Sequence, residues 1–470
     1  MTSKEDFYEF AVIGAGVVGC AIARELTQYT RSVVLIDALD DVGADTSKAN
    51  TAILHTGFDM KPGTLESKLV SEGYKLLLDF ANRNQISVES TGAILVAWNQ
   101  NELDEIKNIQ FRAIENGYLR TRILTRDEIN ELEPNLGSEV KGGLLVPDEF
   151  IIDPWSVSIA YATQAKTAGA TLKLNNKITQ IDFENETFVL TGTKDIIKSK
   201  FIINSAGLYS DDIDKLLGFE DLLITPRRGE LIVFDKLARK LVNHIILPVP
   251  TKMGKGVLIS PTIFGNLMLG PTAVDVKDKS DKSTTEDGLT YLLEKGKVLA
   301  PKLLDEEITT MYTGLRAASN FSDYVITKRE SIPYMTIGGI RSTGLTASLS
   351  IARYVADILK NDNFLKNKIQ NHSDLKMPIL GESSNRPYQD DEKINSHPNY
   401  GEIVCHCEKV TKGEILDALR SEIPATSIST LSRRTRVCLG RCQGFYCISN
   451  IRKIMQNEGL ATSSGLIESK

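Results

Sequence analysis

The feature that most constrains the fold is a glycine-rich turn close to the amino terminus. An apolar run leads into Gly14, Gly16 and Gly19, which have the spacing GxGxxG, and an apolar helical pattern follows. A second apolar run then ends in Asp37. This order predicts strand, turn, helix and strand, in which the first two glycines let the backbone approach a pyrophosphate and the third lets the helix pack on the strand. Asp37 would accept hydrogen bonds from ribose hydroxyls, so the sequence predicts a Rossmann-like dinucleotide-binding unit.

Helical and strand-like segments alternate through the rest of residues 1–372. Helical patterns at 65–80 and 153–168 stand among strand-like runs at 92–96, 143–146, 172–174, 188–191, 201–204, 231–234, 257–259 and 267–269. This interleaving predicts an α/β fold, with a parallel Rossmann-like sheet and a second, mixed or antiparallel sheet from the middle of the chain. We therefore expect residues 1–372 to form one large domain with nucleotide-binding and substrate subdomains.

Cysteines are concentrated at the carboxyl end. Five of the six lie in the last 70 residues, at positions 405, 407, 438, 442 and 447. Such clustering indicates a metal or iron–sulfur site rather than a disulfide framework. Two cysteines one residue apart, followed by a second cluster, suit zinc as well as iron, so the spacing leaves the metal open. A polar, proline-interrupted segment at 373–400 predicts a linker to a small helical module at 401–465.

Charge and hydropathy exclude some classes of function. The formal net charge is −6, which gives no overall field for nucleic acid or membrane, although a local basic patch is compatible with it. The longest uncharged apolar stretch, residues 10–23, is too short to span a bilayer, and no basic leader precedes it. We therefore expect no transmembrane segment and no signal peptide, and we expect a reducing, cytoplasmic location.

A few polar residues could carry chemistry on this scaffold. His55 is the one histidine of five on a loop that should face the cofactor, where an imidazole of near-neutral pKa could take a hydroxyl proton. A structural histidine is the alternative. Lys252, Lys255 and Arg316 could bind a small anion or could be solvated. The glycine-rich loop at 337–346 opens a helix and could offer backbone N–H groups to an electron-rich ring.

These segments resemble a known family, the flavin-dependent oxidoreductases of the D-amino-acid-oxidase superfamily. The resemblance rests on the amino-terminal glycine turn, on NSAGLYSD at 204–211 and on GLTA at 344–347. Four further segments are similar to the flavin glycerol-3-phosphate oxidases and dehydrogenases of that superfamily: NTAILHTG at 50–57, TPRRG at 225–229, VPTKMGKG at 249–256 and GPTA at 270–273.

The resemblance implies a role for each matching residue. His55 would be the catalytic base, Lys255 and Arg316 would hold the substrate phosphate, and Ser342 is a further substrate-binding candidate. The residues implied to contact FAD are Gly14, Gly16, Gly19, Asp37, Ser47, Asn50, Gly207, Gly344, Leu345 and Thr346. The reaction implied is hydride transfer from C2 of glycerol 3-phosphate to the flavin, giving dihydroxyacetone phosphate.

The tail resembles a second family, the bacterioferritin-associated-ferredoxin-like [2Fe–2S] module. The matching segments are IVCHCE at 403–408 and RVCLGRCQGFYC at 436–447. The resemblance implies that Cys405, Cys407, Cys442 and Cys447 ligate the cluster and leaves Cys438 as a free thiol, with a ligand exchange by Cys438 as the alternative. Four nearby arginines, at 433, 434, 436 and 441, would offset the charge of the cluster or dock a partner.

Together these features predict an FAD enzyme that oxidises glycerol 3-phosphate and passes electrons through a [2Fe–2S] module to a partner protein or quinone. Three alternatives stay open at this point. One is oxidation of L-2-hydroxyglutarate, one is a non-catalytic electron-transfer subunit, and one is an oxidase that uses O2 directly and carries a zinc-binding tail. Peripheral membrane association through a partner is compatible with all of them.

Overall fold

The structure is a computed structural model that describes residues 7–250, 256–382 and 384–460. The strands in these ranges are β1 Phe7–Ile13, β2 Val33–Ile36, β3 Ile53–Leu54, β4 Val88–Ser90, β5 Ala93–Ala97, β6 Arg122–Thr125, β7 Gly142–Val146, β8 Phe150–Ile152, β9 Thr171–Lys173, β10 Ile178–Glu184, β11 Thr187–Gly192, β12 Ile196–Asn204, β13 Ile224–Phe234, β14 Ile245–Pro248, β15 Leu258–Pro261, β16 Leu267–Gly270, β17 Val274–Asp275, β18 Ile308–Ser319, β19 Val325–Lys328, β20 Tyr334–Gly338, β21 Ile403–Cys405 and β22 Val410–Thr411. The α-helices are α1 Val17–Leu26, α2 Leu65–Arg83, α3 Gln100–Glu115, α4 Arg126–Leu132, α5 Pro154–Thr167, α6 Ser210–Lys215, α7 Glu286–Leu299, α8 Gly344–Asn361, α9 Asp391–Ser396, α10 Lys412–Arg420, α11 Ile428–Thr435 and α12 Ile448–Asn457.

The first sheet is the nucleotide-binding layer. Its main path runs β10-β11-β12-β1-β2-β9, and β20 pairs with β12. The pairs that contain β1, and the pairs β2–β9 and β12–β20, are parallel, whereas β10–β11 and β11–β12 are antiparallel. The central strand β1 is buried between two apolar clusters, because Phe10 and Val12 belong to one and Ala11 and Ile13 to the other. The predicted strand–turn–helix–strand unit is therefore confirmed.

The second sheet is built mainly from the middle of the chain. Its order is β17-β13-β16-β15-β14-β5-β7-β6, and β18 pairs with β13. Every pair in it is antiparallel except β14–β5. The long ladder between β13 and β18 places Arg227 opposite Arg316. The predicted α/β class with a mixed second sheet is confirmed.

Helix starts follow from local capping. The side chains of Thr64, Asn99 and Asp153 each accept a backbone N–H at the first turn of α2, α3 and α5. Such a bond satisfies one of the four N–H groups that a helix start leaves unpaired, and its loss typically costs about 1 kcal/mol. Together with Pro154 at the start of α5, these residues account for helices at 65–83 and 154–167, close to the predicted ranges.

The carboxyl-terminal module has its own apolar core. Residues from β21, β22 and the helices α10 to α12 pack around Val410, Ile415 and Leu431. A capping box between Thr411 and Glu414 starts α10. None of the helices in the described ranges is both long enough and apolar enough to cross a membrane.

The segment at 373–400 is packed onto its neighbours. Met377 and Leu380 are buried in apolar clusters of the large domain. Arg386 is buried and forms an ion pair with Glu414 of α10, at 3.0 Å. The segment predicted as a linker therefore makes fixed contacts with both of the units it joins.

Candidate functional site

The glycine turn between β1 and α1 is closed so tightly that side chains would not fit. Gly14 has a φ of +100°, and a Cβ atom on it would lie 2.4 Å from the carbonyl oxygen of Ser205. A Cβ atom on Gly19 would lie 1.8 Å from the carbonyl oxygen of Gly14. Asp37 Oδ2 accepts a hydrogen bond from the backbone N–H of Ala15, at 2.6 Å, which ties the end of β2 to the turn. The pattern is readable in the sequence because this backbone requires glycine.

The amino-terminal ends of helices α1 and α8 line a single cavity. The N-cap residues are Gly16 for α1 and Thr343 for α8, and neither caps its helix with its side chain. The first turns of both helices line the cavity. Ser47 Oγ accepts the N–H of Val17 at 3.0 Å, at the start of α1. Two helix N-termini in one cavity fit a cofactor with a pyrophosphate at one end and an electron-rich ring at the other, as in FAD.

Most of the predicted site residues lie around this cavity. Those that line it are Gly16, Ser47, Asn50, His55, Gly207, Arg316, Ser342, Gly344, Leu345 and Thr346. Gly14, Gly19 and Asp37 form the turn behind it. Lys252 and Lys255 lie outside the described residues. The cavity therefore brings together residues that are distant in the chain.

His55 is held between two carboxylates. Its Nδ1 lies 2.9 Å from Glu149 Oε1, and its Nε2 lies 3.0 Å from Asp59 Oδ1. The imidazole is 13% exposed, and both carboxylates also line the cavity. The backbone N–H of His55 donates to Thr346 Oγ1 at 3.1 Å, which fixes the histidine beside the start of α8.

The electrostatics of His55 differ from the prediction. Burial acts to lower its pKa, but the charges of Glu149 and Asp59 and their hydrogen bonds outweigh burial and raise the pKa to about 9. The pKa of His55 therefore lies above its ordinary value of 6.5.

Arg316 is a cationic residue that lines the same cavity. Its Nη2 donates to the carbonyl oxygens of Thr272, at 2.6 Å, and of Arg228, at 3.4 Å. Burial and the nearby charge of Arg227 lower the pKa of Arg316 to about 10, so it is still charged at pH 7. Because its hydrogen-bond partners are carbonyl groups, the guanidinium charge is available to an anionic ligand.

Three cavity residues were not identified from the sequence. Glu149 and Asp59 flank His55, and Arg341 forms an ion pair with Glu66 of α2. Asp59 lies four residues after His55, and this short separation is the one indication in the sequence that the two side chains could meet. Glu149 comes from a turn between β7 and β8, and its proximity to His55 depends on the pairing of β3 with β8.

The cysteines of the carboxyl module lie close to one another. The thiol of Cys405 is next to that of Cys447, and the thiol of Cys407 is next to that of Cys442. Cys438 Sγ lies 3.7 Å from Cys447 Sγ. In the described residues no three His, Cys, Asp or Glu side chains converge as ligands of one metal ion.

The arginines next to the cysteines contact the large domain. Arg433 and Arg434 both bind the buried carboxylate of Asp41, at 2.5 Å and 2.7 Å. The guanidinium of Arg436 lies 4.1 Å from the ring centroid of Phe264. Arg441 pairs with Asp235.

These contacts join the carboxyl-terminal module to the large domain of the same chain.

Comparison with known proteins agrees with this geometry. Residues 9–358 match the family described as FAD dependent oxidoreductase. The chain belongs to this family. Residues 403–457 match the BFD-like [2Fe-2S] binding domain, so the chain joins a flavin oxidoreductase to an iron–sulfur domain. These two family matches confirm the predicted cofactors, FAD and a [2Fe–2S] cluster.

Relatives match over nearly the whole chain. A glycerol 3-phosphate dehydrogenase of Caloramator mitchellensis is 34% identical over 452 residues, which cover 96% of this chain and 94% of the relative. A glycerol 3-phosphate oxidase of Mycoplasma pneumoniae is 31% identical over 74% of this chain and 93% of its own length. An L-2-hydroxyglutarate dehydrogenase of Indibacter alkaliphilus is 29% identical over 57% of this chain and 68% of its own length.

A solved structure supports the same assignment. The dithionite-reduced L-α-glycerophosphate oxidase from Mycoplasma pneumoniae, with FAD bound, superposes with a TM-score of 0.75 at 29% sequence identity. The match covers 79% of this chain and 99% of that one. The resemblance read from the sequence motifs is therefore confirmed.

Proposed function

We propose that this chain is an FAD-dependent glycerol-3-phosphate dehydrogenase. It oxidises sn-glycerol 3-phosphate to dihydroxyacetone phosphate and passes the electrons to its iron–sulfur domain and then to a partner protein or quinone. The observation that carries the proposal is that His55 and Arg316 line one cavity together with the start of α8. A proton-accepting group, an anion-binding group and a flavin-binding helix start are what this reaction needs.

Each side chain has a part in this mechanism. The chemistry that bound FAD supplies is the acceptance of a hydride from C2 of the substrate. Arg316 binds the phosphate through charge-assisted hydrogen bonds and so orients C2. Lys255 and Ser342 assist it, and His55 takes the proton of the C2 hydroxyl group. Removal of that proton lets the oxygen form the carbonyl group as the hydride leaves.

The proposed FAD contacts come from five segments of the chain. Gly14, Gly16, Gly19, Asp37, Ser47 and Asn50 hold the nucleotide half, and Gly207, Gly344, Leu345 and Thr346 hold the flavin half. Support for this division comes from the cavity, which extends from the first turn of α1 to the first turn of α8. Both turns place backbone N–H groups toward it.

The cluster ligands and the domain limits are also proposals. Cys405, Cys407, Cys442 and Cys447 hold the [2Fe–2S] cluster in the domain at 401–465, which follows the flavin domain at 1–372 and the segment at 373–400. The two thiol pairs support this ligand set. Cluster-binding thiols need a reducing compartment, which favours the cytoplasm.

Anaerobic reduction of the flavin tests the proposal. The purified enzyme is mixed with glycerol 3-phosphate, L-2-hydroxyglutarate or glycerol, and the flavin absorbance is followed. We expect rapid bleaching by glycerol 3-phosphate only. Bleaching by L-2-hydroxyglutarate alone would assign the chain to the alternative substrate, and no bleaching by any of them would favour an electron-transfer subunit.

A second measurement separates dehydrogenase from oxidase. Turnover in air with glycerol 3-phosphate should give little hydrogen peroxide, and a one-electron dye should raise turnover, because the iron–sulfur domain delivers electrons singly. Peroxide formed in equal amount to dihydroxyacetone phosphate, without a dye, would show that O2 is the acceptor.

A further inference from the structure

The catalytic histidine of the proposed function has both ring nitrogens in contact with carboxylates. Glu149 Oε1 lies 2.9 Å from Nδ1, and Asp59 Oδ1 lies 3.0 Å from Nε2. Both carboxylates are acceptors only when ionised, so each contact needs a proton on the ring nitrogen. A neutral imidazole carries one such proton and could satisfy only one of the two.

The two carboxylates are held differently. Glu149 is 1% exposed, and its Oε1 also accepts the N–H of Thr56 at 2.8 Å and the hydroxyl of Thr56 at 2.7 Å. Asp59 lies on the loop that leads toward α2, and its backbone carbonyl accepts a bond from Arg112, at 3.5 Å. The Glu149 carboxylate is therefore fixed from several sides. It lies closer to Nδ1, at 2.9 Å, than the backbone N–H of Gly57 does, at 3.4 Å, which favours a proton on Nδ1.

We propose that Glu149 and Asp59 are positioning residues for His55 in this reaction. Glu149 keeps the proton on Nδ1 and fixes the ring, so that Nε2 is the nitrogen that accepts the substrate proton. Asp59 binds the proton at Nε2 after abstraction and holds it until it is released to solvent. The inference rests on the proposed function, because it assumes that a substrate hydroxyl group meets His55.

The step balances in atoms and electrons. The O–H bond of the substrate breaks, and its proton goes to Nε2 of neutral His55, while the C2–H bond breaks and the hydride, with two electrons, goes to bound FAD. The carbonyl double bond forms from the electron pair of the O–H bond. After this step both ring nitrogens carry a proton, and the contacts with Glu149 and Asp59, at 2.9 and 3.0 Å, can then both be hydrogen bonds donated by the imidazole.

The charges around His55 determine the expected pH dependence. Among the described residues in contact with it are two carboxylates, Glu149, which precedes β8, and Asp59, which follows β3, while Thr346 of α8 contributes a neutral hydroxyl group. Burial opposes the charged ring, but the two carboxylates hold the pKa of His55 at about 9. Removal of either negative charge lowers the pKa, so the neutral, proton-accepting form then persists to lower pH.

An NMR titration of the imidazoles in the full-length protein tests this without substrate. The histidines are labelled at Cε1, and the His55 signal is the one that His55→Asn removes. We expect wild-type His55 to titrate near pH 9, and Asp59→Asn and Glu149→Gln to lower the midpoint by about 1–3 pH units. Asp148→Asn is the matched control, because this neighbouring carboxylate pairs with Arg120 instead and should leave the midpoint unchanged.

Stopped-flow reduction of the flavin by glycerol 3-phosphate then tests the link to the reaction. When the second-order rate constant of flavin reduction is plotted against pH, its ascending limb reports the pKa of the free enzyme. In Asp59→Asn this limb should shift to lower pH by the same amount as the NMR midpoint. A midpoint that shifts while the limb stays in place would overturn the positioning roles. An unshifted midpoint in Asp59→Asn would overturn the charge argument itself.

Failure of this inference can be distinguished experimentally from failure of the proposed function. If glycerol 3-phosphate fails to reduce the flavin, the proposed function fails, whereas the NMR titration still reports the state of His55. If Glu149→Gln does not fold, Asp59→Asn decides alone, because Asp59 is a separate carboxylate that lines the same cavity.

Discussion

The carboxylate of Asp41 accepts two hydrogen bonds from the guanidinium of Arg434, at 2.7 and 2.8 Å, with both side chains buried. Asp41 lies shortly after β2 of the nucleotide-binding sheet, and Arg434 lies on α11 of the iron–sulfur domain. Arg433 binds the same carboxylate. This contact holds the iron–sulfur domain against the loop that follows Asp37 in the flavin domain.

Asp41→Asn should loosen this contact. The substitution leaves two buried guanidinium groups without their counter-charge, and breaking a buried pair typically costs about 3–5 kcal/mol. We expect a lower Tm and faster proteolytic release of the carboxyl-terminal domain. Asp40→Asn is the control, because Asp40 is exposed and should leave both measurements unchanged.

The same contact has a pH dependence of defined sign. Burial acts to raise the pKa of Asp41, but Arg434 and Arg433 outweigh it and lower the pKa below the ordinary value of 3.8. The stabilisation is therefore present above about pH 4 and is lost as pH falls through the folded-state pKa. The Tm difference between wild type and Asp41→Asn should shrink in acid. A difference that stays constant down to pH 3 would contradict the assignment.

Local chemistry explains which parts of this architecture were predictable. The turn at Gly14 and Gly19 can be recognised in the sequence because its backbone excludes side chains. The start of α10 can be recognised because Thr411 and Glu414 have the spacing of a capping box. These signals depend on neighbours in the chain. The relatives in the family comparison confirm what the motifs predicted.

Long-range contacts explain what was missed. Glu149 reaches His55 only because β3 pairs with β8, and Arg433 reaches Asp41 only because the two domains dock. Neither contact leaves a periodic pattern or a local motif. The raised pKa of His55 was missed for the same reason, since it depends on a carboxylate that lies far away in the sequence.

His55→Asn should keep FAD and lose turnover. The side chain is assigned to proton transfer, and removal of a positioned base typically costs roughly 10²–10⁴-fold in rate. Flavin content and kcat with glycerol 3-phosphate measure the two effects separately. His397→Asn is the control, because His397 is exposed on the segment at 373–400. A flavin-loaded His55→Asn enzyme with near-normal kcat would remove His55 from the mechanism.

Arg316→Ala should weaken the binding of an anionic substrate. A charge-assisted hydrogen bond contributes about 1.5–3 kcal/mol, so KM for glycerol 3-phosphate should rise by about 10–150-fold. Glycerol, which lacks the phosphate, should be affected much less. Arg227→Ala is the control, because Arg227 stands opposite Arg316 in the ladder but pairs with Asp275. The same expectation holds for Lys255→Ala, and an unchanged KM in both variants would show that the anion site lies elsewhere.

The fifth cysteine of the tail gives the sharpest test of the cluster ligands. Cys438 Sγ lies 3.7 Å from Cys447 Sγ, so distance alone does not exclude it as a ligand. Its backbone, however, has a φ of +64°, a conformation that favours glycine. Cys438→Gly therefore removes the thiol without backbone strain, whereas Cys438→Ser keeps the side-chain size.

Both Cys438 variants should keep the full iron content and visible spectrum of the cluster, because the proposed ligands are Cys405, Cys407, Cys442 and Cys447. Cys442→Ser and Cys447→Ser should lose iron and the absorption beyond the flavin bands, since a thiolate ligand is missing. Reduction of the flavin by substrate should survive in all four variants, while turnover with a one-electron acceptor should follow the iron content. Loss of iron in both Cys438 variants, with retention in Cys442→Ser or Cys447→Ser, would place Cys438 among the ligands.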